Sequence, residues 1–84
     1  MIKNPIARIK EEKGYSWPEF AEVLGISRAR ILQLNGGVNN RISESILKRL
    51  NELGYDSKEI NREYVLWKIK MLDRLKKELL RSIS

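Results

Sequence analysis

Three residues, Gly25-Ile26-Ser27, separate two short stretches of helical pattern, and no other feature limits the fold so tightly. Glycine supplies a backbone turn that residues with a Cβ resist. An apolar residue follows and pins the corner. Ser27, a natural N-cap, then starts the next helix. The stretches Ser16 to Leu24 and Ser27 to Leu34 must therefore cross at a steep angle, and the outer face of the second projects from the molecule. Ile31 and Leu34 face inward at i, i+3, while Arg28, Ala29, Leu32 and Gln33 fall on the other side.

The rest of the chain is punctuated in the same way. Asn4 caps and Pro5 opens a first helix, with Ile6 and Ile9 as its apolar face and Gly14 as its stop. Ser16 and Glu19 have capping-box spacing at the start of the second, whose inner face is Phe20, Ala21 and Leu24. Asn35-Gly36-Gly37 ends the third, and Val38 to Arg41 forms a polar loop. Ser43-Glu44 opens a fourth, with Ile46, Leu47, Leu50 and Leu53 inward and Gly54 closing it. Asp56 and Glu59 again have capping-box spacing, so a fifth helix starts near Ser57; a break at Asn61 is left open. No segment alternates with period 2, so no strand is expected. The expected fold is all-α: a compact helix-turn-helix domain of four to five helices with a long C-terminal amphipathic helix. The pattern divides the chain into a head, residues 1–56, and a C-terminal helix, residues 57–84.

Composition narrows the chemistry. The 84 residues suit one domain with a small core. Cysteine and histidine are both absent, which removes disulfides, thiolate or imidazole catalysis and most zinc sites. Glu11-Glu12 and the pair Glu19, Glu22 have no nucleophile or metal-ligand partner, and Gly36-Gly37 lacks the strand, Lys and Ser/Thr of a phosphate-binding loop. An enzyme is not expected, and neither is a cofactor or a metal. No apolar run exceeds the four residues Tyr64 to Trp67, so neither a signal peptide nor a membrane span is expected. The default compartment is then a reduced cytoplasm.

The net charge of +6 points to an acidic partner. A projecting helix that carries Arg28, Arg30 and Gln33 suits the major groove of DNA, where Arg bonds guanine and Gln bonds adenine in bidentate fashion. Ile9 to Tyr55 resembles the Xre-type helix-turn-helix domain of lambdoid phage repressors and Cro proteins. The resemblance rests on the lead-in Ile9-Lys10-Glu11-Glu12-Lys13-Gly14 and on Phe20-Ala21-Glu22-Val23-Leu24-Gly25-Ile26-Ser27. Ile31, Leu34, Gly37 and the closing Leu50, Leu53, Gly54 complete it. Phe20 to Leu34 is also similar to the last DNA-binding region of sigma factors, but the lead-in helix and the Gly36-Gly37 exit favour the Xre family. The resemblance implies that Arg28, Ala29 and Gln33 read base edges and that Asn39, Asn40 and Arg41 meet phosphates. It also implies a phage or mobile-element origin. Arg30 lies to the side of the helix and suits phosphate. Trp17 stands where the family usually has a phosphate-gripping Gln, and its indole nitrogen offers one donor. Asn35 stands where the family often has an acid paired with a base at Lys10, so that ion pair is missing.

The charge is unevenly placed. Residues 1–56 hold nine basic and seven acidic groups, a net of +2, whereas residues 57–84 hold eight and four, a net of +4. Val65, Ile69, Leu72, Leu75, Leu79 and Ile83 form a helical stripe there, with Trp67 and Met71 beside it. Val65, Ile69, Leu72, Leu75 and Leu79 are the expected dimerisation residues. Together these features describe a homodimeric transcriptional repressor that binds double-stranded DNA at an inverted repeat. Two other readings use the same residues. An antitoxin-like protein would grip a protein partner with its C-terminal helix, and an architectural protein would bind DNA without sequence preference.

Overall fold

Four of the five helices begin at a side chain that accepts a hydrogen bond from its own first turn. The computed structural model describes residues 3–39 and 41–83. Its helices are α1 (Pro5–Lys13), α2 (Trp17–Leu24), α3 (Arg28–Asn35), α4 (Glu44–Glu52) and α5 (Ser57–Ser82). Asn4 Oδ1 accepts from Ile6 N at 3.0 Å, and Ser27 Oγ accepts from Arg30 N at 3.1 Å. At α2 the full capping box forms: Ser16 Oγ accepts from Glu19 N at 3.2 Å and Glu19 Oε1 accepts from Ser16 N at 3.3 Å. Asp56 Oδ1 accepts from Lys58 N and Glu59 N. Each such bond satisfies a donor that the helix itself cannot. The exception is α4, whose Ser43 hydroxyl lies 3.3 Å from the Ser45 hydroxyl and makes no cap. Among the described residues there are no strands.

The apolar faces meet in one cluster. Ile6 and Ile9 of α1 are fully buried, as are Phe20 of α2, Ile31 and Leu34 of α3, and Leu50 of α4. Ile60 and Tyr64 of α5 belong to the same cluster. A division at residues 56 and 57 therefore runs through the core: the first half of α5 is a structural part of the head. The helix also continues through Asn61, whose side chain turns outward to accept from Ile42 N at 3.2 Å. From Leu72 to Ile83 every residue of the chain is exposed. This overhang stretches the molecule to 47 × 24 × 21 Å.

Trp67 and Met71, expected beside the stripe, turn the other way. They follow Ile60 and Tyr64 along the buried line of α5 and cover Gly37. A Cβ on Gly37 would lie 2.6 Å from Met71 Cε and 3.0 Å from Trp67 Cη2, and its φ is +78°. Glycine at this position lets the helix close over the chain and lets the chain take a left-handed turn. On the opposite flank Arg8 Nη2 of α1 pairs with Glu63 of α5 at 2.8 Å. Tyr55 OH donates to Glu12 Oε2 at 2.9 Å.

The Tyr64 hydroxyl is buried and donates to the Leu34 carbonyl at 2.7 Å. Burial raises its pKa above 10.0, and burial together with the Glu12 hydrogen bond raises that of Tyr55. The folded chain thus holds these protons more tightly than the unfolded chain, so stability falls as pH rises past 10.0. Tyr64→Phe is expected to cost about 1 kcal/mol at neutral pH and to make this alkaline loss shallower. Urea unfolding between pH 7 and 11 checks both; an unchanged alkaline slope would remove Tyr64 from the account.

Candidate nucleic-acid interface

The geometry of α3 is set at its first residue. Gly25 closes α2 with φ +70°, and Ile26 N donates back to Ala21 O at 2.9 Å. Ser27 then caps α3, whose Ile31 and Leu34 anchor it at zero exposure. At about 100° per residue, Arg28 and Gln33 flank Ala29 and Leu32 on the far side. All four are exposed, Leu32 by 54 %. The arginine side chains stay available because, among the described residues, no carboxylate pairs with Arg28, Arg30 or Arg41.

Arg30 occupies the flank of α3 that faces the following loop. With Asn39 and Arg41 it lines a shallow recess whose other walls are Ile42, Ser43, Ser45, Leu47 and Asn61. Val38 and one acid, Glu44, line it as well. The recess thus gathers two guanidinium groups, two hydroxyls and the uncapped first turn of α4, a set of donors that suits an anion. Three of the expected phosphate contacts, Arg30, Asn39 and Arg41, come together here. Asn40 lies outside the described residues. Trp17 is not in this recess: it is half-buried at the start of α2, packed against the core, with Lys10 Nζ 4.8 Å over its ring. That cation–π contact gives Lys10 a role in the absence of an acid at residue 35. Asn35 instead accepts from Asn4 Nδ2, at 2.7 Å through its carbonyl and 3.0 Å through its side chain.

The loop beyond α3 is held from behind by residues that the sequence pattern did not single out. Lys68 is buried, and its Nζ donates to Asn39 O at 2.9 Å and to Val38 O at 3.3 Å. Tyr64 holds the end of α3 and Asn61 holds Ile42. One turn of α5 after another thus holds the backbone at Leu34, at Val38 and Asn39, and at Ile42. The available signal was position: Lys68 falls on the line of Ile60 and Tyr64, where a solvated lysine does not belong.

The expected dimerisation residues also share one side of α5. Val65 is half-buried, while Ile69 is 56 % exposed, Leu72 51 %, Leu75 47 % and Leu79 69 %. Leu66, Leu80 and Ile83 add to this surface. Among the described residues, no helix is long and apolar enough to cross a membrane. No family model, curated protein or solved structure matches the chain.

Lys68→Met keeps the apolar stem and removes the donors. It is expected to destabilise the head by about 1–2 kcal/mol and to speed amide exchange selectively over residues 36–42. Hydrogen exchange read by mass spectrometry, with urea unfolding alongside, checks this. Uniform exchange across the chain would mean that Lys68 does not hold the loop.

Proposed function

We propose that this chain is a sequence-specific DNA-binding regulator, a homodimer that represses by occupying an operator. One observation carries the reading. The outward face of α3 presents Arg28, Ala29 and Gln33 exposed, beside a recess lined by Arg30, Asn39 and Arg41. An α-helix fits the major groove, where Arg28 bonds guanine, Gln33 bonds adenine and Ala29 meets a thymine methyl. The flanking recess takes the phosphate, which fixes register without reading sequence. Trp17 contributes through its single indole donor at the start of α2. The resemblance of Ile9 to Tyr55 to the Xre-type family supports the same assignment.

The exposed stripe of α5 supports the two-fold assembly that an inverted-repeat operator requires, with half-site centres about 34 Å apart. The same stripe favours a second reading, in which an antitoxin-like protein grips another protein there. Co-purification of a second polypeptide would support that reading.

Selection of bound duplexes from a random pool at defined salt tests the operator directly. The expected outcome is an inverted repeat, with affinity falling steeply as salt rises. Absence of any preference over random DNA would favour an architectural protein. The contacts separate by their variants. Arg28→Ala is expected to cost about 1–3 kcal/mol on the selected site and to relax preference at one base pair. Arg41→Ala is expected to weaken all sequences alike and to lower the salt slope by about one unit. Equal losses on selected and random DNA for Arg28→Ala would make that residue a phosphate contact.

A further inference from the structure

The apolar stripe of α5 carries one charge in its line. Val65, Ile69, Leu72, Lys76, Leu79 and Ile83 are separated by steps of 4, 3, 4, 3 and 4, which is a heptad seam. Ile69, Lys76 and Ile83 take the a positions, and Val65, Leu72 and Leu79 take d. Leu66 and Leu80 at e and Leu75 at g widen the seam, and Asp73 is the acid among the e positions, in an exposed pair with Lys77 of its own helix at 3.3 Å that the solvent leaves free to exchange. All of these residues except the half-buried Val65 are exposed, so the seam is open from Leu66 to Ile83.

Lys76 decides which way a second copy can lie. In a parallel pair each a residue faces its own counterpart, so two Lys76 side chains would meet inside the seam. Asp73 would then face Lys68 of the second copy. The two Asp73 carboxylates would lie on opposite edges of the seam, split from each other and turned toward a lysine that holds the carbonyls of Val38 and Asn39, so they would not close together over the Lys76 pair. In an antiparallel pair a residues face d residues. Overlap of all six positions then sets one register: Val65 opposite Ile83, Ile69 opposite Leu79, and Leu72 opposite Lys76. The two-fold axis passes at the level of Arg74. Edge e meets edge e, which brings two Asp73 carboxylates beside two Lys76 ammonium groups at the axis. Each lysine stem covers Leu72 of the second copy while its charged end reaches this alternating cluster.

We propose that α5 pairs with a second copy in this antiparallel register, closed at its centre by the Asp73 and Lys76 charges. This inference rests on the homodimer in the function proposed above and not on its DNA contacts. It places the two heads on opposite sides of the axis. Tyr64, which anchors α3, lies ten residues from the axis in each chain, so the two anchors stand about 30 Å apart along the pair at 1.5 Å per residue. That spacing is close to the roughly 34 Å between successive major-groove faces.

The chain has no cysteine, so Ser82→Cys gives a single spin-label site on the full-length protein. Ser82 lies eight residues from the axis, and the antiparallel register puts the two labelled backbones about 24 Å apart. A parallel pair puts them at the interhelical spacing of about 10 Å. Asp73→Lys is expected to weaken self-association at least about tenfold by gathering four positive charges at the axis. Combining it with Lys76→Asp is expected to restore association, because the alternation returns; in a parallel pair, like charges would still face each other. A separation near 10 Å, or no restoration by the double variant, overturns the register. A mass of one chain by light scattering at high micromolar concentration overturns the pairing itself. None of these measurements contains DNA, so a failed operator selection would leave their outcome standing.

Discussion

The hydrogen bond from the Tyr64 hydroxyl to the Leu34 carbonyl is the contact on which the arrangement of α3 depends. Alone, α3 is eight residues long with two buried side chains, far too little to hold a helix in a fixed direction in water. Its first residue is set by the Gly25 turn and the Ser27 cap. Its last turn has only glycines beyond it, and without an anchor it would fray. Tyr64 supplies that anchor from α5, beside the bonds that Asn4 makes to Asn35, and the aromatic ring below the hydroxyl fills the centre of the core. The outward face of α3 is thus positioned in part by a helix thirty residues away in sequence.

The same helix governs the loop that follows. Lys68 is a costly residue to bury, and it is tolerated because backbone carbonyls, those of Val38 and Asn39 among them, accept from its ammonium. Those carbonyls belong to the turn that leads to Arg41. The recess beside α3 is therefore assembled from four sources: the flank of α3, a loop with little apolar anchoring of its own, the first turn of α4, and the polar side chains of α5 that hold that loop.

Much of the architecture was legible because it is written in local chemistry. Caps at Asn4, Ser16, Ser27 and Asp56 each act within three residues, so the sequence alone reveals them. The outward placement of Arg28, Ala29 and Gln33 follows from the helical repeat once Ile31 and Leu34 are taken as buried. The residues that were not legible all act over a distance of nineteen or more positions: Asn61 on Ile42, Tyr64 on Leu34, and Lys68 on Val38 and Asn39. A periodic pattern gives the faces of a helix but not which of two adjacent apolar faces meets the core. That is why Trp67 and Met71 pattern with the stripe yet pack over Gly37, and why a boundary at residue 56 splits a core that extends through Tyr64.

The uninterrupted run of α5 from Ser57 to Ser82 has a mechanical consequence. Neither glycine nor proline breaks it, so no joint separates the turns that grip the exit loop from those that carry the apolar seam. A head cannot swivel on such a shaft. On the function proposed above, the distance and the twist between the two α3 faces would be built into the protein as a fixed gauge. One inserted base pair moves the second half-site by about 3.4 Å along the duplex and also rotates it about the axis. A jointed tail would absorb that change, whereas this one would have to bend a helix or distort the DNA. Selectivity for spacing would then come from stiffness alone, without a single added contact to a base.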